Sequence, residues 1–168
     1  VSAADKHIDP KKIAADVIAC AKAGAAMVHL HVRDKDGSLT PDLSVLKEIV
    51  ELIRAQSDII IQASTGGVSN LTIEERCAPL YYDEVEACSL NVGSTNLGDA
   101  VYGNPIPEVK YCVNEIIKTG KTPEIEVFEI GHTHMVQELR KEFPMKAPIL
   151  FSVVLGHPGE APATPEAL

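Results

Sequence analysis

Two histidines one residue apart carry the clearest chemistry in this chain. His29-Leu30-His31 sits in the run Met27-Val28-His29-Leu30-His31-Val32-Arg33-Asp34, which is apolar and β-prone and follows a helical pattern closed by Gly24. Side chains alternate faces along a strand, so His29 and His31 point the same way, roughly 6–7 Å apart. Two imidazoles at that spacing near a strand exit can grip one divalent metal ion. The alternative is a pair of hydrogen-bonded core histidines. Arg33 and Asp34 follow at once, which favours the metal. Arg33 is a candidate catalytic cation.

Other polar residues fall at comparable places. Ser64-Thr65-Gly66-Gly67 ends a second strand. Two glycines allow close backbone approach, and hydroxyls with free N–H groups make an anion nest. A plain strand-to-helix turn is the other reading. Ser89 and Asn91 share a face one strand later and could complete a carboxylate site. Glu124 and Glu126 share a face of a further strand, and Glu129 falls on the other face unless the strand ends first. A carboxylate inside a parallel sheet is costly unless paired, so Glu126 needs an arginine or a metal. Glu126 joins Arg33 as a candidate catalytic group. His132 and His157 follow strand exits, His134 reads as helix surface, and His7 as exposed.

The elements that must position these residues alternate regularly. Asp9-Pro10 caps a helix with Ile13, Val17, Cys20 and Ala21 inward. A strand is predicted over 26–32, and Thr40-Pro41 opens a second helix with Leu43, Leu46, Ile49, Val50 and Ile53 inward. A strand at 59–64 comes next, then a capping box Thr72-x-x-Glu75 and a strand at 86–91. Residues 92–96 read as its exit loop. A helix from Pro107 to Gly120, a strand at 124–130, a helix at 133–143 and a strand at 149–155 complete the pattern, and Thr164-Pro165 resembles another helix start. Strands alternating with helices require a parallel sheet with right-handed crossovers. The chemistry-bearing residues cluster where strands end, the active face of such folds.

The chain has 168 residues, 45% hydrophobic and 23% charged. This suits one globular domain, residues 1–168, with a sizeable core. A net charge of −9 and the lack of a Lys/Arg block oppose a sequence-independent grip on nucleic acid. The absence of tryptophan and 4% aromatic content disfavour base stacking. No apolar run approaches a membrane span and no signal peptide is visible. Cysteines 20, 77, 88 and 112 fit no zinc finger and read as reduced, mostly buried thiols of a cytoplasmic protein. There is no Gly-x-Gly-x-x-Gly fingerprint and no P-loop.

The ordered series His29-Leu30-His31-Val32-Arg33-Asp34, Ser64-Thr65-Gly66-Gly67, Ala87-Cys88-Ser89-Leu90-Asn91-Val92-Gly93-Ser94-Thr95-Asn96, Pro123-Glu124-Ile125-Glu126-Val127-Phe128-Glu129 and Val154-Leu155-Gly156 resembles the β-keto acid cleavage enzymes. That family includes 3-keto-5-aminohexanoate cleavage enzyme. The resemblance implies an α/β fold of the TIM (β/α)8 barrel family, here with about five strands, the second to the sixth. It implies zinc held by His29 and His31, and Ser64, Gly67 and Ser89 around the substrate carboxylate, beside Thr65, Gly66 and Asn91. It makes Glu126 an inward carboxylate behind the site. It also implies a small-molecule β-keto acid and acetyl-CoA as substrates, acetoacetate and an acyl-CoA as products, and a homo-oligomer.

The same resemblance implies a third zinc ligand, a glutamate in an Arg-x-Gly-Leu-Glu-Asp-like motif, and a first strand bearing another glutamate. Neither is found in these residues. Two further expectations compete: a metal-dependent hydrolase of the amidohydrolase type, which also uses His-x-His on a barrel strand, and an incomplete, inactive α/β fragment. Both ends read as interrupted, and five unclosed strands would leave two sheet edges open.

Overall fold

The structure, a computed structural model, describes residues 7–168. Elements run in the order α1 (Pro10–Lys22), β1 (Met27–Leu30), α2 (Ser44–Arg54), β2 (Ile60–Ala63), α3 (Ile73–Arg76), β3 (Ala87–Asn91), β4 (Thr95–Leu97), β5 (Ala100–Tyr102), α4 (Ile106–Thr119), β6 (Thr122–Val127), α5 (Ile130–Glu142) and β7 (Leu150–Val153). Single 3-10 turns occupy Ala78–Tyr81 and Pro165–Ala167, so the helix expected at Thr164-Pro165 is one turn among the described residues. Five strands form one parallel sheet in the order β1-β2-β3-β6-β7. The sheet curls into half of a (β/α)8 barrel, the architecture expected from the alternating pattern.

Local chemistry explains where the elements begin and end. The Asp9 carboxylate accepts from the backbone N–H groups of Lys11 and Lys12 at the head of α1. The buried stripe of α1 centres on Ala14, Val17 and Ile18, and Cys20 is exposed, against expectation. At 100° per residue, positions 14, 17, 18 and 21 form one band and position 20 falls on its flank. α2 starts three residues later than Thr40-Pro41 suggests. The Thr40 hydroxyl takes the N–H of Asp42, and the Asp42 carboxylate takes that of Ser44, so two turns precede the helix. The capping box at Thr72 and Glu75 is formed in both directions. Gly120 ends α4 in the left-handed conformation, φ 71°.

One segment departs from expectation. Residues 95–102 form an antiparallel hairpin, β4–β5, outside the main sheet. Its turn is Gly98-Asp99, a glycine with positive φ followed by an acid. That dipeptide between Leu97 and Ala100-Val101-Tyr102 is a hairpin signal. The 92–96 exit loop runs directly into this hairpin.

The sheet has two unlike faces. Val28, Leu30, Ile61, Ala63, Cys88, Leu90, Ile125 and Val127 turn outward beneath the helices, in two apolar clusters. One cluster joins α1 and α2 to β1 and β2; the other joins α4 and α5 to β3 and β6. The Cys88 thiol lies there, and burial pushes its pKa up, which keeps it neutral. At the strand starts Arg54 donates to Glu84, Glu86 and the Ile59 carbonyl, tying α2 to β2 and to the approach to β3. Ile53 is fully buried in the first cluster. Ile53→Ala is expected to lower unfolding free energy by about 2–5 kcal/mol, read as an earlier urea midpoint with unchanged slope.

Candidate active site

Register partners in the parallel sheet place their side chains on a common face. His29 lies opposite Gln62, Ser89 opposite Glu124, Asn91 opposite Glu126, and Glu126 opposite Ser152. These residues form the inner face of the half-barrel, and the face is polar.

The two histidines stand together. Their ring centroids are 5.1 Å apart at an interplanar angle of 71°. Strand pairing ends at Leu30, so His31 sits one residue past β1. His29 Nδ1 meets Gln62 Oε1 at 2.6 Å, and Gln62 Nε2 donates to Glu124 Oε2 at 2.5 Å. Desolvation, then the neighbouring His29 and Arg33, lowers the pKa of His31 to about 4. At neutral pH its ring is uncharged and keeps a lone pair for bonding.

The turn after β2 is held from within. Gly66 N–H and the Ser64 hydroxyl are 3.3 Å apart, and Thr65 N–H reaches the Ser89 hydroxyl at 3.3 Å. The Thr65 hydroxyl donates to the Ser89 carbonyl at 2.7 Å and lies 3.8 Å from the Cys112 thiol, away from the inner face. The nest expected at Ser64–Gly67 is therefore internally satisfied here. Its long bonds from Thr65 and Gly66 are weak enough to exchange for a ligand.

Arg76 organises this turn from behind. It donates to the Thr65 carbonyl at 3.0 Å, Tyr102 Oη at 3.0 Å, Asn104 Oδ1 at 2.6 Å and the Gly103 carbonyl at 3.3 Å. Tyr102 fills the space over Gly66, where any side chain would coincide with its hydroxyl. Burial raises the Tyr102 pKa, against the opposing pull of Arg76 and of a hydrogen bond from the Gly67 backbone. Asn104 reaches back to the Gly93 carbonyl and, through its N–H, to the Ser94 hydroxyl. The hairpin is thereby tied to the exits of both β2 and β3.

Glu126 meets an amide where an arginine or a metal was expected: Asn91 Nδ2 donates to its Oε2 at 2.5 Å. Asn91 Oδ1 is buried with no hydrogen-bond partner among the described residues. Arg33 turns aside and donates to the Gly37 carbonyl at 2.6 Å, bracing the 34–38 turn. Glu129 lies beyond the end of β6, in the N-cap position of α5. His132 is buried; its Nδ1 accepts from the Phe128 N–H, and its Nε2 abuts Gly93. His157 packs on Phe128, and His134 is on the exposed side of α5. Sequence reasoning passed over Gln62, Arg76, Tyr102 and Asn104. Gln62 had a signal, a lone amide in the apolar run Ile59-Ile60-Ile61 with the same parity as Ser64. The others depend on the hairpin.

The donor set fits part of a zinc site. Two imidazoles share one face, but no group of three His, Cys, Asp or Glu able to hold a metal occurs among the described residues. A catalytic zinc ordinarily takes three protein ligands. Among the described residues, no helix is long and apolar enough to cross a membrane.

Comparison with known proteins gives this geometry a lineage. The 3-keto-5-aminohexanoate cleavage enzyme of Acetoanaerobium sticklandii is 38% identical, across 87% of this chain and 54% of its own length. The 3,5-dioxohexanoate:acetyl-CoA acetone transferase of Paraburkholderia graminis is 30% identical, across 96% of this chain and 60% of its own length. The chain thus spans little more than half the length of these relatives. The apo structure of ObcA superposes with a TM-score of 0.74 at 24% identity, covering 89% of this chain and 36% of that one, a likeness of fold. The profile of the beta-keto acid cleavage enzymes matches residues 7–168, and the chain belongs to that family.

Proposed function

We propose that this chain supplies the substrate-holding half of an active site that cleaves a β-keto acid with acetyl-CoA, releasing acetoacetate and an acyl-CoA. The observation that carries it is the convergence, on one sheet face, of two neutral-capable imidazoles, the Ser64 and Ser89 hydroxyls and the Asn91–Glu126 pair. The names of the relatives support it, since both act on six-carbon keto acids. A cytoplasmic, homo-oligomeric enzyme is the setting this reading implies.

Each group has a task on this reading. His29 and His31 are two of the ligands of a zinc ion. Bound there, zinc supplies Lewis-acid polarisation of the reacting keto group. Ser64, Ser89 and the N–H groups of Thr65 and Gly66 exchange their long internal bonds for the substrate carboxylate and fix its orientation. Gly67, at φ 133° with Leu39 packed against its Cα, shapes the turn whose N–H groups face that carboxylate. Arg33 adds positive charge near His31, a short-range bias toward an anionic substrate. Asn91 Oδ1 and the Glu126 carboxylate present acceptors with no cation to meet them among the described residues, which favours a substrate carrying an ammonium group.

A polypeptide that joins this chain to the remaining barrel strands should release acetoacetate from acetyl-CoA and 3-keto-5-aminohexanoate when supplied with zinc, whereas residues 1–168 alone should release none. No release by the joined polypeptide from any member of a β-keto acid panel overturns the reading. His31→Ala should strip bound zinc, measured by elemental analysis after dialysis, and abolish turnover. Glu126→Gln should raise KM about 10- to 100-fold for an amino-bearing β-keto acid, the loss of one charged hydrogen bond. It should leave KM for a β-keto acid without an ammonium group nearly unchanged.

A further inference from the structure

Gln62 is only 1% exposed and lies opposite His29 in register. A buried primary amide has two unlike ends, one that only donates and one that only accepts. Its donor end is fixed by Glu124, because an ionised carboxylate offers acceptors alone. The carbonyl end must then face His29 Nδ1, 2.6 Å away. A carbonyl oxygen at that distance requires a ring N–H. For the neutral ring the tautomer of His29 follows by elimination: Nδ1 carries the proton and Nε2 is bare. Free imidazole side chains favour the opposite arrangement. The ring of His31 has no hydrogen-bond partner of this kind among the described residues.

We propose that Gln62 and Glu124 are positioning residues that lock His29 in its Nδ1–H form and leave the unprotonated Nε2 for the open sheet face shared with His31. Glu124 acts two steps from the ring, by forbidding the amide flip that would turn an NH2 group on Nδ1. A metal-binding histidine ordinarily donates its second ring N–H to a carboxylate or carbonyl, which orients the ring and raises its basicity. Here the carboxylate exerts that control through a buried amide. The lock itself is independent of any metal; its use in metal binding rests on the function proposed above.

Long-range 1H–15N correlation spectra of the 15N-labelled, metal-free full chain, recorded above neutral pH, read the tautomer directly. His29 should show a protonated Nδ1 and a bare Nε2. Gln62→Leu should move it to a mainly Nε2–H population and weaken Co2+ binding about 10- to 100-fold, with the His31 pattern unmoved. Glu124→Gln, which keeps shape and packing, should give a mixed population, because a neutral amide tolerates either orientation of Gln62. An Nε2–H form in the unaltered chain overturns the lock, as does a Gln62→Leu tautomer identical to it. If Gln62→Leu fails to fold, an unmixed Nδ1–H form in Glu124→Gln overturns the lock instead. A chain that shows the Nδ1–H form yet takes up no Co2+ sustains the lock and overturns the zinc role of His29.

Discussion

The structure depends on the two-residue alternation of a curled parallel sheet. Helices cover one face, and that face is hydrocarbon: Leu30, Ile61, Leu90 and Ile125 are buried there. The other face looks into the half-barrel, where every second residue is released from the demand for apolarity. A one-residue slip in any strand would exchange the two sets. It would bury Glu124 or Glu126 beneath a helix, at a desolvation cost no single strand could offset. The hydrophobic clusters therefore fix where the histidines and carboxylates point.

Polar groups on the inner face are matched in pairs across strands. Gln62 serves both His29 and Glu124, and Asn91 serves Glu126. Amides suit this role because each presents a donor and an acceptor and carries no charge to bury. The carboxylates are held by neutral donors and keep their negative charge available to a ligand. An arginine across from Glu126 would have neutralised it and removed that capacity.

Much of this was legible in the residues. Alternating helix and strand patterns gave the parallel sheet, and the spacing of His29 and His31 gave their shared side. Boundaries shifted where side chains intervened locally, as at Thr40 and Asp42, whose turns delay α2. The hairpin of residues 95–102 was missed because its strands are three residues each, too short for alternation to show. With it went Arg76, whose partners are dispersed over residues 65–108 and meet only in three dimensions. The pairing of Glu126 with Asn91 was likewise a matter of register, since parity places both residues on one face but does not say which lies opposite which.

Arg76 couples two parts of the fold that the sheet itself does not join. One buried guanidinium joins the glycine turn to a hairpin that lies outside the main sheet. The hairpin is free to vary in its exposed residues, such as Val101, while Tyr102 stays pinned. Change in that appendage reaches the Ser64–Gly67 turn through this cation and the ring stacked beneath it. The shape of that turn can therefore be altered by remodelling a peripheral ornament, with the inner wall of the half-barrel left intact.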